Sequence, residues 1–159
     1  MVRLKILKVG DPGDELLREN LLQGPPVTPE QVLPLARPMR ELCRRLRGLG
    51  LAAPQVGLRL PFFFMGAKVM PMVGEFVLNP RIAPEQGLKM VPGPEGCLSL
   101  PGGTWTVKRH PVVWLTFMDL KGTERTVRLA GLPAIVAQHE TDHLRGLLID
   151  ATGKPAPRA

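Results

Sequence analysis

The chain has little of what staples or anchors a protein. It carries two cysteines, Cys43 and Cys97, in 159 residues, too few for a disulfide framework. No apolar run approaches the ~20 residues that a membrane span needs, and the N-terminus lacks the apolar stretch of a signal peptide. No internal repeat is visible. These absences exclude a disulfide-stapled scaffold, a membrane-spanning helix and a repeat array. They lead us to expect a protein of the reducing cytoplasm, where a free cysteine can do chemistry. Histidine is also scarce, with three in the whole chain.

What is present fits one globular domain. The hydrophobic share of 44% is ordinary for a soluble protein, and the length suits one core rather than two. We expect a single domain over residues 1–150 and a short flexible tail at 151–159, which has no apolar periodicity. The formal charge of +7 leans towards acidic partners such as RNA-rich assemblies. The basic residues are nevertheless scattered, with Arg44-Arg45-Leu46-Arg47 the densest run, and they read mainly as a solvated surface.

Thr28-Pro29-Glu30-Gln31 has the form of a capping box with proline at the first helical position. Leu35, Met39, Leu42 and Leu46 follow at helical spacing, which predicts a helix ending near Arg47 with Gly48 just past it. Pro34 and Pro38 imply a kink or a later start. The alternation from Val2 to Val9 predicts an extended segment. Phe62–Met65, Glu75–Leu78 and Arg81–Ala83 read as strand pieces. Val112–Leu120 and Thr123–Leu129 read as a hairpin turning at Lys121-Gly122. Gly131-Leu132-Pro133 opens a last helix and Gly146 ends it. Strands flanked by helices at both ends describe an α+β domain.

The chemistry concentrates in Gln138-His139-Glu140-Thr141-Asp142-His143. Two histidines four residues apart share one helical face and can reach one metal ion, while Glu140 can reach a water bound to it. The motif points to metal-assisted hydrolysis. A third histidine six residues on would complete one known shell, but that position is Ile149. His110, between Arg109 and Pro111, reads as a surface residue at a strand edge. Cys97 is the better third ligand. It sits in Glu95-Gly96-Cys97-Leu98-Ser99 among prolines and glycines, an irregular neighbourhood rather than a strand core, and a cation would hold its thiol deprotonated. Cys43, on the apolar side of the first helix, reads as buried and inert. A third segment, Gly48–Gly57, is rich in glycine and alanine with Gln55 as its one polar side chain. It lacks the spacing of a dinucleotide-binding loop.

Together G-x-G-L-A-A-x-Q, E-G-C-L-S and Q-H-E-x-D-H, in that order, resemble the three motifs of the peptide deformylases, over roughly Leu4 to Asp150. The resemblance implies antiparallel β-sheets packed around a central helix that carries the H-E-x-x-H motif. It implies Cys97, His139 and His143 as ligands of one divalent metal ion, with Fe2+ native and Zn2+, Ni2+ or Co2+ as possible occupants. Glu140 would be the general base and then the acid, and Gln55 and the Leu98 backbone N–H would face the oxyanion. Gly50 would hold the substrate as an added strand. Leu49, Leu132, Ile135 and Val136 would form an apolar pocket for the methionine. Asp142 and Glu95 are natural partners for the histidine N–H groups or for Arg109. The implied reaction removes the N-formyl group from the initiator methionine of nascent polypeptides, with no membrane and no specific nucleic acid involved. Two departures stand out. Thr104 occupies a position where many members carry an arginine, and the chain lacks the basic C-terminal helix of typical members, so we expect at most weak ribosome binding. The alternatives are a small H-E-x-x-H metallopeptidase and an inactive binder of formylated N-termini.

Overall fold

In the computed structural model, which describes residues 3–66, 69–70 and 76–156, helix α1 spans Pro29–Arg45 and starts where the capping pattern predicts. The Thr28 backbone N–H donates to Gln31 Oε1 at 2.9 Å. Pro34 and Pro38 neither delay nor break it. The carbonyls they leave without an intrahelical donor belong to Glu30 and Pro34, both exposed, where water can serve them. Val32, Ala36, Met39, Leu42 and Cys43 form its buried face. Leu46, expected in that stripe, follows the last helical residue and is exposed.

Among the described residues eight strands follow, β1 to β8: Gly50–Ala52, Phe62–Met65, Phe76–Pro84, Val91–Cys97, Leu100–Arg109, Val112–Met118, Glu124–Ala130 and Gly153–Pro155. They form an antiparallel five-stranded sheet ordered β1-β2-β3-β6-β7 and an antiparallel three-stranded sheet ordered β4-β5-β8. The unbroken apolar run of β2 has a simple cause. Phe62 and Phe64 pack on the α1 side, whereas Phe63 and Met65 pack towards Ala134, Ala137 and Leu144 of a second helix, α2, at Leu132–Leu144. A strand buried on both faces loses its polar alternation. The α+β class with antiparallel sheets is therefore as expected, and α2 carries His139, Glu140 and His143.

Several boundaries differ from the sequence reading. The two pieces expected around Glu75–Leu78 and Arg81–Ala83 are one strand, β3, with a register shift between Leu78 and Arg81; Glu75 itself lies outside the described residues. Asn79 takes a φ of 51° at this bulge. Its amide both accepts from Val27 N–H and donates to Val27 O, each at 2.8 Å, tying the bulge to the entry of α1. Val2 also lies outside the described residues. Beyond it the N-terminal segment is extended without joining a sheet, and it links two places by Leu7 N–H to Gln55 O (2.8 Å) and Val9 N–H to Ser99 O (3.0 Å). The hairpin turn at Lys121-Gly122 is present, with Gly122 at φ 79° and its N–H on Asp119 O.

The larger corrections are β4, β5 and β8. Pro92, Pro94, Pro101 and four nearby glycines hid a hairpin: β4, which carries Pro92 and Pro94, lies at a sheet edge where a missing N–H costs no ladder bond, and Pro101 sits beside the turn at the start of β5. Cys97 is thus the last residue of a strand, beyond a register shift after Glu95, rather than part of an irregular segment. Within the segment read as a short tail, residues 151–155 carry regular structure. Helix α3 (Ile149–Thr152) leads into β8, whose Gly153, Lys154 and Pro155 pair with Val107, Thr106 and Trp105. Main-chain pairing needs no apolar periodicity, so the pattern could not announce it. Residues 157–159 lie outside the described residues.

Helix α2 ends in a Schellman turn, with Leu147 N–H on Asp142 O and Gly146 N–H on His143 O. Gly146 has φ 73°, and a Cβ there would sit 2.4 Å from Arg18 O. Gly146→Ala is therefore expected to lose about 2–3 kcal/mol of stability, read as a lower denaturation midpoint at unchanged m-value.

Candidate metal centre

Helix α2 is apolar on more than one side because it is enclosed, packing on β1, β2 and β7. Its polar residues, Gln138, Glu140, Thr141, Asp142 and His143, are buried with it. Such groups are costly unless each has a partner. Gln138 bridges to the loop after β5, accepting from His110 N–H (3.0 Å) and donating to His110 O (2.8 Å). Thr141 donates to Ala137 O. His110, read from sequence as a surface residue, is half-buried, with an Nδ1 that has no partner.

The histidines meet Cys97 from the end of β4. The rings of His139 and His143 lie edge to face at 4.9 Å, and His143 Nε2 is 3.4 Å from Cys97 Sγ. One donor atom from each of Cys97, His139 and His143 falls within 4.8 Å of the others. A tetrahedral ion with ~2.3 Å bonds to sulfur and ~2.0 Å to nitrogen would set those atoms roughly 3.5 Å apart, so the donor set fits a cation. Burial, with the charges of His139 and Arg109, pushes His143 well below its ordinary value, which leaves it a neutral imidazole. His139 Nδ1 is 2.8 Å from Glu95 Oε2, which turns its Nε2 towards Cys97 and His143.

Glu95 is one corner of a buried polar ring. Arg109, at the end of β5, donates to both its oxygens (2.8 and 3.0 Å) and also to Asp142 Oδ2. Burial alone would raise Glu95, but bonds from His139 and Arg109 outweigh it and hold the carboxyl at about 2. This resolves the pairing that spacing left open: Glu95 serves His139 and Arg109 together, and Asp142 serves Arg109.

Glu140 is buried at 4% exposure and its Oε2 has no partner among the described residues. Burial drives its carboxyl up to about 7, partly opposed by the His139 charge. Gln55 is oriented by its own turn: Ala52 N–H donates to Oε1 at 2.9 Å, so Nε2 points to Ser99 Oγ (3.3 Å) and Cys97 Sγ (3.8 Å). Leu98 opens the two-residue turn between β4 and β5. Cys43 stands apart; burial, helped by Glu140, pushes its thiol up to about 12.

A cleft of about 420 Å³ joins these groups. Cys97, His139, Glu140, Gln55 and Leu98 line it, and His143 lies buried behind. The five residues expected to meet substrate, Leu49, Gly50, Leu132, Ile135 and Val136, line it as well. Leu49 and Leu132 are 45% and 50% exposed there, apolar surface left open to a ligand. Thr104 is exposed and does not line the cleft. The sequence reading missed Ser99, fully buried and bonded to Gln55, and also Arg47 and the Leu100–Gly103 wall. Only the place of Ser99 within E-G-C-L-S offered a signal.

No helix among the described residues is long and apolar enough to cross a membrane. The chain matches the polypeptide deformylase family model over residues 3–156. It is 40% identical over 149 residues to the peptide deformylase of Dictyoglomus thermophilum, covering 94% of this chain and 91% of that one. The crystal structure of peptide deformylase from Thermotoga maritima superposes with a TM-score of 0.81 at 32% identity, covering 96% and 98% of the two chains. A Met-Ala-Ser-bound peptide deformylase from Acinetobacter baumannii gives 0.78 at 28% identity, covering 95% and 98%. This chain belongs to the polypeptide deformylase family, metal-dependent hydrolases that remove the N-formyl group from nascent polypeptides.

Proposed function

We propose that Cys97, His139 and His143 hold one divalent metal ion, and that Glu140, Gln55 and the Leu98 N–H carry out deformylation of formyl-methionyl peptides beside it, in the cytoplasm. The observation that supports this most is the buried Glu140 with a free oxygen, opening onto the same cleft as the three-donor cluster. A divalent ion would acidify a bound water and polarise a carbonyl oxygen. The protein does the rest. Glu140, poised near neutrality, takes a proton as the formyl carbon is attacked and returns it to the amine that leaves with the peptide, while formate departs. Gln55 Nε2, fixed by the Ala52 N–H, donates to the oxygen on which charge develops.

The cleft lies between two free sheet edges, since β1 ends one sheet and β4 ends the other. A substrate backbone laid against Gly50 joins β1 as an added strand. Its methionine side chain then meets Leu132, Ile135 and Val136, with Leu49 across from them. We propose Fe2+ as the native ion, since a thiolate and two imidazoles accept it along with Zn2+, Ni2+ and Co2+ and the family resemblance favours it.

Three outcomes test this reading. Glu140→Gln should keep the metal and lose about 10²–10⁴-fold in formate release from formyl-Met-Ala-Ser, and Gln55→Ala should lose about 10²–10³-fold. Cleavage of casein by the wild-type protein, or full activity in either variant, would overturn the assignment. Anaerobically purified protein should contain iron at one per chain, and zinc in its place would count against Fe2+. In the third test, the metal-free protein should release protons on zinc binding at pH 8. Burial disfavours a charge on His139, but bonds to Cys97 and Glu95 and the charge of Glu140 raise it to about 10, so it is protonated there and must lose that proton to become a ligand. Calorimetry in buffers of different ionisation enthalpy reads the number released; a value of zero would contradict it.

A further inference from the structure

The cleft carries one exposed full charge. Of its charged lining residues, Glu95 and Glu140 are buried, whereas Arg47 is exposed at the mouth. Arg47 lies just past the end of α1 with φ 57°, a backbone position where glycine is the usual occupant. A second groove of about 460 Å³ adjoins the cleft and shares Leu46, Cys97, Leu98 and Pro101 with it. Lys5, Lys8 and Arg45 line that groove. All four cations are exposed, and none forms an ion pair among the described residues. Asp11, which does not line the groove, accepts the Lys8 backbone N–H at 2.8 Å. A helix C-terminus favours cations, which accounts for Arg45; it accounts for neither Lys5 nor Lys8, and Arg47 is outside the helix.

The path of the substrate follows from the cleft as assigned under Proposed function, on which this inference rests. With the formyl carbon beside Cys97 and Glu140 and the methionine among Leu132, Ile135 and Val136, the rest of the peptide leaves by the remaining wall, between Leu46-Arg47 and Pro101. An extended chain advances about 3.3 Å per residue. A strand that pairs at Gly50 and leaves along this wall carries the residues beyond its first two past Arg47, which lines the same cleft. We infer that Arg47, with Lys5, Lys8 and Arg45 beyond it, makes this protein favour nascent chains that carry acidic side chains at positions three and four.

The test uses formyl-Met-Ala-Xaa-Xaa peptides with amidated C-termini, Xaa being Glu, Ser or Lys, and the metal-loaded full chain. A single exposed ion pair contributes a factor of about 1.5 to 5. With several cations we expect kcat/KM to fall in the order Glu, Ser, Lys, with roughly tenfold between the ends. The spread should collapse at about 0.5 M salt, where screening acts within a few ångströms. Arg47→Glu should narrow or invert the order. Equal rates on all three peptides would overturn the inference while leaving deformylation intact. An Arg47→Glu variant slowed alike on all three would also overturn it, since that marks a structural role. Failure of every peptide to release formate would instead sink the assignment of the cleft.

Discussion

The buried guanidinium of Arg109 is the tie on which the metal centre depends. It stands at the end of β5 and holds Glu95 of β4 on one side and Asp142 of α2 on the other. Glu95 in turn orients His139, three residues from Asp142 on the same helix. The circuit closes on itself, with two helix positions joined through two strand residues and no free end. A hairpin and a helix from separate layers are thereby locked in register. That register sets the separation of Cys97, at the end of the same β4, from His139 and His143. Replacing Arg109 by an apolar residue would take the main charge partner from two buried carboxylates, leaving Glu95 to His139 and Asp142 to a longer contact with Arg145, a disruption of about 3–5 kcal/mol by analogy with broken buried pairs. The cost would also fall on geometry, because nothing else in the ring bridges Glu95 to Asp142.

The same ring divides the carboxyls of the site into two kinds. Glu95 is buried yet ionised, its charge matched by Arg109 and by the His139 N–H. Glu140, one residue along α2, is buried without such a match and is pushed towards neutrality. Side chains of one type thus have opposite protonation tendencies set by their partners, the pattern that separates an orienting group from a proton-transfer group. Positional neighbourhood in the chain does not decide this; the direction in which each side chain leaves its element does.

The pattern of the sequence carried the centre of the site better than its frame. Histidines at i and i+4 stack one above the other on a helix face, and the segment that carries them, α2, is a helix. Cys97 was found by the failure of the alternatives, Ile149 and His110, before its strand was recognised. The hairpin that presents it went unread because proline and glycine depress strand propensity, although an edge strand tolerates both. The β8 pairing was invisible for a different reason. It is made by backbone groups of Gly153, Lys154 and Pro155, and only the glycine leaves a trace: a Cβ there would lie 2.8 Å from Val107 Cγ2. The ring of Arg109 was half legible, since charge types were evident but the register that pairs them is set by how the β4–β5 hairpin packs on α2.

Gly50 shows how closely the frame and the chemistry are joined. A Cβ at this position would meet Glu140 Oε1 at 2.5 Å and its Cδ at 2.8 Å. The first residue of β1 must therefore be bare for the carboxylate to reach the cleft at all. The same bareness leaves the edge of β1 open to an incoming backbone, so one missing side chain serves both the proposed base and the strand proposed to carry the substrate. Burial of Glu140 against this edge is unfavourable for the folded chain, because an unpaired carboxyl oxygen is desolvated with nothing in return. Natural folds keep such violations chiefly where a reaction uses them. The position of this one, between a glycine edge and a three-donor cluster, supports the proton-transfer role proposed for Glu140.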